Sequence, residues 1–85
     1  MKSIWTTNYE NNEIKIENTW FNGERLFVNG KLQDEKFGFF SSDLTGHIIN
    51  TKNEKEIIKV NLGGFMKIEC RLFINDNKIK ATQIK

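Results

Sequence analysis

The sequence contains no proline, one cysteine and one histidine. Cys70 alone leaves no internal disulfide. His47, with no Cys or second His beside it, makes no zinc site, so no metal and no cofactor is expected. No apolar run approaches the ~20 residues that cross a bilayer, and none follows Met1-Lys2, so neither a membrane span nor a signal peptide is expected. Charge of one sign is also lacking. Thirteen basic against 11 acidic residues leave a net charge of +2, which gives no strong field toward nucleic acid or membrane. No segment holds a 3.6-residue apolar period over ten residues, which argues against helices. Walker, Rossmann, EF-hand and HExxH patterns are all missing.

What is present is turn chemistry and alternation. Asn22-Gly23 and Asn29-Gly30 are Asn-Gly pairs, the strongest two-residue hairpin signal, because both residues tolerate the positive φ of a type I′ turn. They predict a three-stranded meander over Glu13–Phe21, Glu24–Val28 and Lys31–Lys36. Two-residue loops fix register. Trp20 then lies beside Arg25, and Arg25 opposite Asp34, on a face shared with Phe27, Leu32, Ile14 and Ile16. Leu26 and Val28 fall on the other face with Glu17 and Lys31. Each face mixes apolar and polar groups, so either a β-bulge shifts one strand or both faces are partly covered.

Further strands are expected at Lys2–Tyr9, Thr45–Thr51, Lys55–Leu62, Phe65–Ile74 and Lys78–Ile84, with Phe37–Ser41 extending the meander. Gly63-Gly64 and Asn75-Asp76-Asn77 read as turns. In Phe65–Ile74, the residues Met66, Ile68, Cys70, Leu72 and Ile74 share one face. Seven to eight short strands in 85 residues predict one all-β domain, residues 1–85, an antiparallel sandwich or flattened barrel with hairpin connections. Arg25-Leu26-Phe27-Val28-Asn29 echoes Arg71-Leu72-Phe73-Ile74-Asn75. This reads as two equivalent ligand sites, as a duplicated half-domain, or as two hairpins that solved one problem alike. Lys, Asn and Ile occur 11 times each, the bias of an AT-rich genome, which points to a low-GC bacterium, with a virus or mobile element an equal alternative; without a span or signal peptide the expected location is cytoplasmic.

Little in the sequence speaks for catalysis. Cys70 lies on an apolar face and reads as core. Asp34 and Glu35 are adjacent strand residues that point apart, so they are no carboxylate pair. A small enzyme would need a pocket gathering His47, Asp43 or Glu69. The first expectation is therefore a non-catalytic binding or protein-interaction module. Its partner is an unknown protein, or a second copy through an edge strand. Trp20, Arg25 and Asp34 are its candidate site, and their bland reading is a structural cross-strand cluster.

The alternative rests on aromatics. Trp20-Phe21-Asn22 and Lys36-Phe37-Gly38-Phe39-Phe40 resemble pieces of the cold-shock domain, a small OB-type barrel that stacks single-stranded bases on such side chains. The resemblance covers eight residues. Thirteen residues separate the two boxes here, the Gly expected after the Lys is Phe37, and the His-containing second box is absent. It implies a single-strand nucleic-acid binder using Trp20, Phe37, Phe39 and Phe40 as a stacking platform. The competing reading buries these aromatics in the core of a short chain.

Overall fold

The first turn shows how the sheets are built. Tyr9 lies opposite Asn12, and Glu10 and Asn11 between them take positive φ, 50° and 63°. Two such residues in succession suit the right-handed twist of the flanking strands. The device recurs at Asn29-Gly30 (52° and 80°) and at Asn75-Asp76 (49° and 66°). The last is a two-residue loop, with Asn77 already paired to Ile74, and not the three-residue turn expected.

The structure, a computed structural model, describes residues 2–19, 23–37, 42–63 and 68–85. Among these the strands are β1 (Lys2–Tyr9), β2 (Asn12–Thr19), β3 (Gly23–Val28), β4 (Lys31–Lys36), β5 (Ser42–Ile49), β6 (Lys55–Gly63), β7 (Glu69–Ile74), β8 (Asn77–Ile79) and β9 (Thr82–Gln83). They form a five-stranded sheet in the order β4-β3-β2-β1-β9 and a four-stranded sheet in the order β5-β6-β7-β8. Every pairing is antiparallel, and the all-β meander read from the sequence is borne out. One core joins the sheets. Trp5, Ile14, Ile16, Leu26 and Val28 come from the first; Leu44, Ile48, Ile58, Val60, Leu62, Leu72 and Ile74 come from the second.

Two registers differ from the expected ones. Ile14 pairs with Val28 and Ile16 with Leu26, so Arg25 faces Glu17 and not residue 20. Asn22-Gly23 does not act as a two-residue turn. Gly23 already opens β3 opposite Thr19, and residues 20–22 lie outside the described residues. A tight turn at 22–23 would have set Ile16 against Asn29. The observed register puts four branched apolar side chains on one buried face, and burial outweighs the local turn preference. Gly23 keeps its positive φ of 79°, and a Cβ there would collide with the Lys36 carbonyl oxygen.

The second difference is a β-bulge between β3 and β4. Phe27 pairs with Leu32, but Leu26 pairs with Asp34 and Arg25 with Glu35, so Gln33 is the extra residue. The mixed faces of the sequence thus resolve through the bulge. Gly63 likewise ends β6 opposite Glu69 and is no hairpin turn; Gly64 lies outside the described residues. In β7, Leu72 and Ile74 are buried, with Cys70 packed partly against the core, as the alternation predicts.

The stretch expected as one last strand serves two sheets. β8 pairs with β7, and after Lys80-Ala81 the chain continues as β9 against β1. The Ile84 N–H donates to the Ile4 carbonyl at 2.8 Å.

The echo between Arg25 and Arg71 has a structural counterpart. β1–β4 and β5–β8 are successive four-stranded meanders, and the two echoed segments fill the third strand and third turn of each. Ile14–Val28 and Ile58–Ile74 are equivalent pairs beside those turns.

Candidate functional site

β4 and β5 are edge strands of different sheets that run side by side. Their seam is closed by side chains. The bulge frees Gln33, whose Oε1 accepts the His47 N–H at 2.7 Å. Asp34 Oδ2 accepts the Thr45 N–H at 2.8 Å, and Asp34 Oδ1 accepts the Glu35 N–H at 2.8 Å. The edge of β5 therefore has its N–H groups at 45 and 47 satisfied without a neighbouring strand. Gly46 makes room for this. A Cβ at position 46 would run into Gln33 Oε1 and come within 2.9 Å of Leu26 Cδ2.

An open groove of about 390 Å³ runs beside the seam, lined by Gln33, Thr45, Gly46, His47, Lys55 and Ile57. His47 pairs with Ile57 across β5 and β6, and Ile49 with Lys55, so Ile49 and Ile57 are diagonal neighbours on the outer face. Ile49 is 47% exposed and Ile57 41%. The lining mixes Lys55 and His47 with the neutral polar Gln33 and Thr45 and the aliphatic Ile57, and among the described residues no carboxylate belongs to it.

Arg25 and Asp34, read together in the sequence, take different partners. Arg25 forms an ion pair with Glu35, where Asp34 was expected. Asp34 serves the seam instead, because the bulge moves it one place along the strand. Phe37 is 69% exposed. Trp20, Phe39 and Phe40 lie outside the described residues. Of the three groups an enzyme would need to gather, His47 lines the groove, Asp43 accepts from Asn61 Nδ2 at 2.7 Å, and Glu69 is held by Arg71 at 2.9 Å. Burial pushes the Cys70 thiol up to about 12, so it stays protonated and unreactive at neutral pH. Among the described residues no group of three or more His, Cys, Asp or Glu is placed to hold a metal ion.

Two polar clusters went unread in the sequence. At the end of the sandwich holding the turns at 10–11, 29–30 and 75–76, buried Asn12 and Glu56 link the sheets. Asn12 Nδ2 donates to the Ile49 carbonyl at 2.9 Å, and Tyr9 Oη donates to Glu56 Oε1 at 3.1 Å. Asn50 Nδ2 donates to Glu56 Oε2 at 2.8 Å. Desolvation first, and then the Glu56 carboxylate, raise the Tyr9 phenol above its ordinary value. At the opposite end, Asn18 and Glu24 are buried side by side on the core face. The signal for both clusters was a polar residue at a core position of the alternation, visible only in the correct register.

Comparison with protein-family models, with characterised proteins and with solved structures finds no match to this chain.

Proposed function

We propose that this chain is a small non-catalytic binding module that docks a segment of a partner protein in the groove beside the β4–β5 seam. The carrying observation is the exposed Ile49–Ile57 pair beside a groove that holds Lys55 and His47. Exposed branched aliphatics that adjoin a concave surface mark interaction sites more than scattered ones do. Self-association through an edge strand is the weaker version. The β5 edge is already satisfied by Gln33 and Asp34, and β8 and β9 are only three and two residues long. With no carboxylate beside His47 among the described lining residues, the groove reads as a docking surface and not a catalytic one.

The test is site-specific photo-crosslinking in cells. A photoreactive residue at position 57 should capture a discrete partner, and the same residue at Asp76, on an exposed turn, should not. Equal adducts at both positions, or none at 57, would remove the reading.

Single-strand nucleic-acid binding is the second reading. It draws on Phe37, 69% exposed and preceded by the exposed Lys36. Stacking on Phe37 predicts binding of short oligonucleotides that Phe37→Ala weakens and that salt abolishes. Salt-insensitive binding, or none, would dismiss it.

A further inference from the structure

The core face of the first sheet is built in rows. Thr7, Ile14 and Val28 form one, and Trp5, Ile16 and Leu26 the next. The following row is Ser3, Asn18 and Glu24, with Lys36 opposite Glu24 on β4. It lies at the end of the sandwich where β2 leads to β3 and β6 to β7. Glu24 is 4% exposed and Asn18 8%. Asn18 Nδ2 donates to Glu24 Oε1 at 3.0 Å. Glu24 Oε2 is buried and has no hydrogen-bond partner among the described residues. Lys36 is exposed, and no ion pair joins it to Glu24.

The chain treats its other buried carboxylates differently. Glu17 meets Lys2 at 3.6 Å and Lys15 at 3.2 Å, and Glu56 accepts from Tyr9, Asn50 and Asn75. A buried carboxylate oxygen without a donor is costly, and an apolar side chain would fill the position as Leu26 fills the next one. A residue that breaks the local rule with no structural gain is a mark of a functional site.

We propose that Glu24 and Asn18 form an interior acceptor site for a ligand carrying a primary ammonium group, which donates to Glu24 Oε2. A cation compensates the buried charge, which a neutral donor does not. A guanidinium fork wants both carboxylate oxygens, and Asn18 already occupies one, so a single-point ammonium fits better. A metal ion finds no three-ligand set among the described residues. In the facing sheet, Leu62 pairs with Cys70 in the row at this same end, where Leu62 lies in the apolar core and Cys70 packs against it.

The test follows the Asn18 side-chain amide and the Glu24 carboxyl carbon by NMR during titration with butylammonium chloride. Butanol and tetramethylammonium are the controls. The expected result is a saturable shift at both groups, with either control ~10-fold weaker because it lacks the charge-assisted N–H donor. Glu24→Gln should keep a folded spectrum and lose the response, while His47 and Ile57 stay unshifted throughout. No saturable shift in the wild type, or an equal response to butanol, would mean that the oxygen merely holds water. Should Glu24→Gln fail to fold, the wild-type titration with its two controls still decides the matter. Glu24→Leu gives an independent readout: a raised melting temperature agrees with a charge kept for binding, and a lowered one contradicts it.

Discussion

Asn29 and Asn75 stand in the same relation to the strand beside each of them. The Asn29 N–H donates to the Glu13 carbonyl at 2.8 Å, and Asn29 Oδ1 accepts the Glu13 N–H at 2.9 Å. The Asn75 N–H donates to the Ile57 carbonyl at 2.9 Å, and Asn75 Oδ1 accepts the Ile57 N–H at 2.9 Å. The side-chain amides then reach the two buried polar residues, Asn29 to Asn12 at 2.9 Å and Asn75 to Glu56 at 3.3 Å. Each asparagine thus extends a strand ladder past its last backbone pair while holding the positive φ of its turn.

The first prediction follows from that equivalence. Asn29→Ala and Asn75→Ala should each cost about 2 kcal/mol, from the left-handed backbone and the lost side-chain bonds together. Asn→Gly at either site should recover roughly 1 kcal/mol, because glycine restores the backbone but not the amide. Urea denaturation of the four variants measures both effects. Unequal losses at the two sites would separate the two meanders energetically.

Gly46→Ala tests the seam. The added methyl meets Gln33 and Leu26, so a loss of about 1–3 kcal/mol is expected. Gln33→Ala in the same chain should relieve part of it, and a double-mutant cycle should show coupling between the two positions. Additive effects would mean that Gln33 does not hold β5.

Arg25 and Asp34 should separate in their energetics. The Arg25–Glu35 pair is partly exposed on both sides, so Arg25→Ala should cost less than ~1 kcal/mol. Asp34→Ala removes the acceptor of the Thr45 N–H and should cost ~1–2 kcal/mol. Thermal melts of the two single variants decide the order.

Alkaline pH should weaken the fold through Cys70. Its thiol is raised from 9.0 to about 12 by burial, so between these values the unfolded chain has released a proton that the folded chain retains. Stability is therefore fully present below pH 9 and declines as pH rises toward 12. Tyr9, also raised, acts in the same direction above 10.0. Cys70→Ala should flatten the part of the slope that begins near pH 9. The native thiol should also resist a disulfide reagent at pH 8 until the protein is unfolded.

How much of this was legible depends on the range over which each feature is set. Asn29-Gly30 declared its hairpin because the turn is decided by two residues. The alternation through Leu72 and Ile74 declared a core strand for a similar reason. Asn22-Gly23 misled, since four buried side chains on two strands outvoted one local preference. That error of register carried Arg25 to the wrong neighbours and hid Glu24, which falls on the core face only once Ile16 is aligned with Leu26. Gln33 was invisible as a seam residue. Its role depends on the missing side chain at Gly46, a contact between residues far apart in the chain.

The crossing of residues 77–83 from one sheet to the other bears on how the molecule is made. During synthesis β1 leaves the ribosome first, and β2 soon covers one of its edges. The other edge stays open until Thr82 and Gln83 arrive, after both meanders have been produced. Until they do, the nascent chain presents an unpaired flank carrying Ile4 and Trp5, the kind of template on which strands of neighbouring chains assemble. The closing residues therefore act as a late latch. Chains that lack them should aggregate as they are made, even though every hairpin and nearly the whole apolar core lie upstream of the latch.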